Sequence, residues 1–594
     1  MLEYKTPQRR GWLRDRSSTG GVMLAVTFLV TTAHVAALVN VPTFTHDVAP
    51  ILSKNCLRCH EPDGIAYRVP LTSYEAAQER ADKIKEKVVS RQMPPWPADP
   101  AKSVKFRNDA RLSQKDIDMI VAWVNAGAPK GDDADLPAMP KSKGGWMHPQ
   151  GRDPDFVISL PGDVHLPAKQ ELPYVRVMVK VPFADDHWIA ASQTLPSNPA
   201  VVHHMALTEV ELPNGMTPAD IDRVAALERQ MGVQSTGTRT TPAVVTPPPL
   251  KLTDMLGIYT PGSALEMYPD GSSKLLRGGD NVYLIFNIHY ETTDKPEIDR
   301  SRIAFWFEQG SPKHQLFRVN GAGEVILANG KELVNDAPGV KAEGTHVAIP
   351  PIPPGAENYE LVGITAYPEA VTIYQMQPHA HHRAKDFTYT AVYPDGHEET
   401  LLTVPQYDHR WQMAYEPETP IKLPAGSKLV VTAHYDNSTM NMHNPAPEKE
   451  VYFRDQNQSW DEMFTPFIQV SFDDEDPSKR DSGQAMKATD KRLEIGEVVG
   501  CLTGTSGAGW SVVNASEPAI SESQATTSSA LNTAKSKASG KERYHLLGIG
   551  IFQPEQHRGK QVAVKGVLIK DPGSLRINVT SLQEIGACSG PHGE

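Results

Sequence analysis

The residues of this 594-residue chain that could do chemistry fall into a few short runs. In Cys56-Leu57-Arg58-Cys59-His60, two thiols stand three residues apart and an imidazole follows the second. That is the attachment pattern for c-type haem: the thiols add to the vinyl groups and the histidine supplies an axial nitrogen. A second axial ligand has to come from downstream. Met93, in Arg91-Gln92-Met93-Pro94-Pro95-Trp96, suits the role because prolines fix the chain after it and a thioether suits haem iron. Met119 is a rival, but its spacing with Ile117, Ile120, Val121 and Trp123 places it in a packed helix.

Four more groups carry metal-ligating side chains: His203-His204, His289, His379-Ala380-His381-His382 and Met463. His379 and His381 are two apart, so on a strand both rings project from one face and can chelate one ion. Adjacent His203 and His204 point to opposite faces of an ideal strand. They can share an ion only if the strand twists or bulges, or if one coordinates through Nδ1 and the other through Nε2. His382 and His434 read as groups that support ligands or structure. Met440-Asn441-Met442-His443 rivals Met463 on composition alone.

The elements that must position these residues differ along the chain. Arg9, Arg10, Arg14 and Arg16 precede an uncharged stretch from about 20 to 42, which reads as a signal peptide or a membrane anchor over 1–42. Helical patterns at 73–90 and 113–125 flank the Cys-x-x-Cys-His run, giving a small all-α domain over 43–137. From Asp155 onward, short alternating runs such as Tyr174 to Val181, separated by Pro, Gly and Asp turns, predict antiparallel β structure. Five short strands over 493–590 predict a small OB-like barrel, with 514–540 as a Ser/Ala/Thr-rich mobile loop. Cys501 and Cys588, near its two ends, read as one disulfide in an oxidising compartment. The net charge of −12 leaves no basic footprint for nucleic acid.

The run from Phe44 through CLRCH, MPPW, Ala122-Trp123-Val124 and Gly127-Ala128-Pro129 resembles the cytochrome c domains of secreted bacterial proteins. Val202-His203-His204-Met205, Asn287-Ile288-His289-Tyr290, Pro378-His379-Ala380-His381-His382 and Asp461-Glu462-Met463 resemble, in order and interval, the copper type II ascorbate-dependent monooxygenases. These include the peptidylglycine α-hydroxylating and dopamine β-monooxygenases, and the resemblance covers about 300 residues. It implies two packed, jelly-roll-like β-sandwich domains, over 150–345 and 346–475. It also implies one copper on His203, His204 and His289 and a catalytic copper on His379, His381 and Met463. The Asp-Glu-Met context, in a strand-like run, then favours Met463 over Met440 and Met442.

The chain departs from that family in three ways. Residues 60–500 contain no cysteine. Aligned on the ligands, the positions that would anchor a peptide carboxylate are Gln377, Thr465 and Phe467, so the substrate is expected to be neutral or weakly polar. A haem domain lies upstream of the copper region. The expected whole is a multidomain, mainly β, periplasmic or extracytoplasmic enzyme, free or anchored to the inner membrane. It would use two copper ions, covalent haem c and O2 to hydroxylate a small organic substrate. Its electrons would come from an ascorbate-like reductant, a quinol-linked donor or a cytochrome. The competing expectation is a haem and copper electron-transfer or assembly protein without turnover.

Overall fold

Ser113 starts a twelve-residue helix: its Oγ accepts the Asp116 N–H at 3.1 Å, capping Gln114–Asn125, and Gly127, at φ +87°, ends it. Ser73 caps Tyr74–Glu79 in the same way. The single helix expected over 73–90 breaks at Arg80, whose φ of −110° and ψ of 12° leave the helical region, and resumes as Ala81–Val89. Phe44, Leu52, Ala77 and Trp123 form a small core with Ala49–Asn55, the helix that leads into Cys56.

The computed structural model describes residues 41–588 apart from 58, 63–65, 67, 138–144, 214, 221–250, 261–264, 334–348, 454–459, 474–476, 478–491 and 522. The export segment at 1–40 lies outside the described residues. Among those described, no helix is long and apolar enough to cross a membrane.

Past the helices the chain is mainly β. In the first β region, one sheet runs in the order Phe156–Ser159, Arg302–Phe307, His187–Leu195, Ser272–Leu276, His314–Gln315. A second runs Val175–Lys180, Val282–Tyr290, Val202–Glu211, Lys251–Tyr259. Their alternating apolar residues, among them Ile189, Leu207, Leu284, Phe286, Ile303 and Phe305, meet in one core.

The second β region pairs the sheet Phe317–Asn320, Phe467–Phe472, Val371–Gln377, Ile421–Leu423 with a six-stranded sheet centred on Tyr359–Tyr367 and Ser427–Tyr435. Phe317–Asn320 and Glu324–Leu327 belong here, although the sequence reading ends the first region at 345. Val325 is buried in the second core and Val319 packs against it, which a strand pattern alone cannot assign. Trp96 joins the same core, its ring 5.0 Å from Tyr415. The chain after it is tied down where the Asp99 and Val104 N–H groups donate to the Thr403 and Leu401 carbonyls. Burying an indole this fully contributes roughly 2–3 kcal/mol, so the helical segment is anchored to the second β region through the MPPW run.

At the C-terminus, Gly509–Ala515 pairs with both Ile495–Thr505 and Glu542–Leu547, closing a ring that passes through Ser574–Ala587 and Lys560–Asp571. The stretch expected to be a mobile loop instead holds the strand Ala519–Ser521 and the helix Ser528–Ala534, capped by Thr527. Gln524 fixes it to the second β region by accepting the Ala366 N–H at 2.8 Å. Low-complexity composition predicted mobility here, and tertiary hydrogen bonding overrides it.

Glu324 and Glu332 face the barrel, where Glu332 accepts the Ser581 hydroxyl at 2.6 Å. Burial lifts both carboxyls to about 7, and in Glu324 the charge of Glu332 adds to the rise. The folded protein therefore holds protons that the unfolded chain releases near its ordinary 4.5. The stability they contribute is full below that pH and is lost as pH rises through 7. Glu324→Gln should flatten the fall in stability between roughly pH 5 and 8 and raise stability at the upper end by on the order of 1 kcal/mol. Parallel melting curves for parent and variant across that range would refute this.

Candidate metal centre

His203 and His204 sit at the start of strand Val202–Glu211, and the register against Val282–Tyr290 shifts between Val202 and His204. This bulge lets two adjacent histidines approach one point, as their spacing required. His289 is directly opposite His204 across the strands. Donor atoms of His203, His204 and His289 lie within 4.8 Å of one another, so the three form a group that could hold a metal ion. One of their nitrogens, His289 Nδ1, is buried without a hydrogen-bond partner, which fits a cation as the missing partner.

His379 and His381 lie just beyond the end of strand Val371–Gln377, in extended chain rather than on the strand itself. The His379 Nδ1 bonds Gln412 Oε1 at 2.6 Å, and the His381 Nδ1 bonds the Asp461 carbonyl at 2.9 Å. Each ring thus keeps Nε2 for another partner, the arrangement by which outer groups orient metal-binding histidines. His379 Nε2 is 3.2 Å from Met463 Sδ. Met463 lies in a loop before strand Phe467–Phe472, not in the strand expected from sequence. The loop is held by Glu462, whose carboxylate accepts the backbone N–H of His381 at 2.8 Å and of Arg383 at 2.7 Å. Met440 and Met442 are 76% and 91% exposed, away from any such group.

The two groups share one buried space. The His204 ring is 5.3 Å from that of His379, and His289 is 6.3 Å from His381. Between them stands Tyr174, its hydroxyl 2.6 Å from His204 Nε2 and 3.3 Å from His381 Nε2. Burial pushes the imidazoles of His204, His289 and His381 well below their usual range, and neighbouring imidazoles add to the effect; burial likewise takes His379 to about 4. All four are neutral at pH 7, the form that binds metals.

The turn after Ala49–Asn55 brings the Cys59 and His60 N–H groups onto the Cys56 carbonyl at 3.1 and 2.9 Å. His60 Nδ1 bonds the Val69 carbonyl at 2.8 Å, leaving Nε2 available as an axial ligand; this fits haem attachment. Met93 is half-buried at a cis peptide to Pro94. Cys501 and Cys588 stand at disulfide distance, sulfurs 2.15 Å apart. His434 bridges Asp386 and Glu360 at 2.6 and 3.1 Å on the surface, an ion-pair role.

Sequence reasoning missed Tyr174, Gln412, Glu462 as a clamp, and Arg318. The Arg318 guanidinium reaches Gln377, one of the aligned anchoring positions, from a distant strand, but it is already bonded to Glu266, Gln375 and Gln377. Each acts through partners thirty or more residues away, and only Glu462, which stood beside Met463, had a local mark.

No family model matches the chain, and no curated protein matches it. Among solved structures, similarity extends to one described as "Structure of PNGF-II in P21 space group", at 9% identity over 53% of this chain and 65% of that one, with a TM-score of 0.22. The chain spans just under two thirds of that structure's length, and a likeness this loose carries no argument about chemistry.

Proposed function

We propose that the chain is an exported dicopper monooxygenase that hydroxylates a C–H bond of a small organic substrate, its electrons delivered through haem c at Cys56, Cys59, His60 and Met93. The observation that carries this reading is the meeting of two donor sets in one buried space: three imidazoles on one side, two imidazoles and a thioether on the other. His203, His204 and His289 would hold one copper; His379, His381 and Met463 would hold the other. The donor chemistry suits this division, since a soft sulfur favours Cu(I), the state that must meet O2. Bound copper supplies the one-electron chemistry by which one O2, one C–H bond, two electrons and two protons become an alcohol and water.

The chain's own residues do the rest. Gln412 and the Asp461 carbonyl aim the two rings, Glu462 holds the loop that carries Met463, and Tyr174 fills the gap between the groups and excludes water. Phe467, 5.9 Å from the His379 ring, gives the neighbourhood an apolar wall. Arg318 is already paired by Glu266 and so offers no free fork beside Gln377, which supports a neutral or weakly polar substrate.

Proximity supports the haem relay. Cys59 lies near enough to the buried Tyr259 hydroxyl to act on it electrostatically, so the attachment motif is close to that strand end. Tyr259 is paired with Met205, next to His204. On this reading the helical segment is a cytochrome c domain, the two β regions are jelly-roll-like copper sandwiches, and the C-terminal ring is OB-like. The native reductant would be ascorbate-like, quinol-linked or a cytochrome, outside the cytoplasm.

Metal analysis of the full chain should give two coppers, and O2 consumption should require both reductant and substrate. Copper without O2 uptake under any candidate substrate would favour the electron carrier. Stopped-flow mixing should show reduced haem reoxidised by copper at least as fast as turnover; a reduced haem that never passes its electron on removes the relay.

A further inference from the structure

A second convergence of ligands lies on the other side of His203. Its Nδ1 is turned toward His204 Nδ1, 3.3 Å away, while its Nε2, buried and without a hydrogen-bond partner, is turned toward Glu291 Oε1 at 3.7 Å. His409, from the loop between Glu398–Val404 and Ile421–Leu423, brings its ring to 5.7 Å from that of His203. Donor atoms of His203, Glu291 and His409 all lie within 4.8 Å of one another. Two further imidazoles crowd the spot: His382 is 4.2 Å from His409, and its Nδ1 is likewise buried without a partner, while His443 is 5.6 Å from His409 on the far side. The nearby cation Arg410 is already paired with Asp408 at 2.6 Å.

We propose that His203 Nε2, His409 and Glu291 bind an additional divalent ion of the zinc class, separate from the two coppers. Two imidazoles and one carboxylate are a borderline donor set, which suits zinc-class ions over calcium or magnesium. The Glu291 side chain is 52% exposed whereas those of His203 and His409 are 9% exposed, so the site has a solvent-facing entrance and room for water as a fourth ligand. Glu291 is fixed from behind, its N–H donating to the Val201 carbonyl at 2.8 Å.

The ion would have a structural consequence. His203 and Glu291 belong to the first β region and His409 to the second, so one cation clamps the two and keeps the two histidine groups facing each other. On the copper reading His203 would present its other nitrogen, Nδ1, to the three-histidine group, and its N–H proton would leave to solvent. The three donors are complete without Met463 or His379, so the site does not stand or fall with the copper reading.

The test is zinc uptake by the copper-loaded full-length protein, measured by elemental analysis after equilibrium dialysis. The parent should bind one zinc more than Glu291→Gln or His409→Asn, whose zinc affinity should fall at least tenfold while copper content stays the same. Glu291 is on the surface, so that variant keeps the test decisive should His409→Asn misfold. Equal zinc uptake by parent and variants overturns the assignment, as does a loss of copper in step with zinc, which would mean one site rather than two. If no copper binds in any form but the zinc difference persists, the copper reading fails and the zinc site stands.

Discussion

Met463→Ile should leave a chain that folds and keeps its haem spectrum but holds one copper instead of two and hydroxylates at least roughly 100-fold more slowly, if the proposed dicopper reading holds. The thioether stands 3.2 Å from His379 Nε2, and its loop is fixed independently by Glu462 and by the Tyr435 hydroxyl, which donates to the Met463 carbonyl at 2.8 Å. Isoleucine removes the sulfur and keeps roughly the volume but adds a β-branch, so the unchanged fold and haem spectrum are the controls that separate lost ligation from lost packing. His379 and His381 remain aimed by Gln412 and the Asp461 carbonyl, which is why the expected effect is lost ligation and not a collapsed pocket. The three-histidine group, on other strands, should keep its metal. The measurement is copper per chain beside single-turnover rate. Two coppers with near-parental turnover would remove Met463 from the centre and reopen the question of its role.

How legible this was depended on the range over which each residue acts. The Cys56-x-x-Cys59-His60 run and the helical patterns from 73 and 113 are local, and the sequence reads them directly. For His203-His204 the problem was legible and so was its solution: adjacent rings cannot share an ion on a regular strand, and the strand bulges there. The apposition of the two histidine groups was not legible, because it depends on how one β region packs on the other. Tyr174 stood at the head of an alternating run and looked like an ordinary strand residue; only the fold brings His204 and His381 to its hydroxyl. His409 and Glu291 were invisible for the same reason, since each comes from a different loop. That Phe317–Asn320 and Glu324–Leu327 pair with strands of the second region was not legible, because β-strand pattern specifies which face is buried and says nothing about which sheet buries it.

Breaking the Cys501–Cys588 pair should have the largest effect on stability of any change outside the metal centre. The two residues are 87 apart in sequence and enclose nearly the whole C-terminal ring. Cys501 is opposite Gln561, and Ala587, just before Cys588, is opposite Lys560, so the link spans the start of the strand Lys560–Asp571. Closing a loop of that size removes enough freedom from the unfolded chain to stabilise the module by about 4 kcal/mol. For a module of this size that corresponds to a fall of roughly 15 °C or more in its melting temperature when the link is lost. The loss should be confined at first to the ring. Its core also contains Ile326, Val362, Ile364, Val392 and Val430 of the second β region, however, so melting the ring exposes that sheet and lowers the next transition as well. The Cys501→Ser and Cys588→Ser variants should shift the first calorimetric transition equally, and the double variant should add nothing beyond either, because all three break the same link. Copper content and the haem spectrum at 25 °C should match the parent. A parent protein whose transitions are unmoved by a reducing agent, or single variants that differ from each other, would show that the ring is held by packing and not by the link.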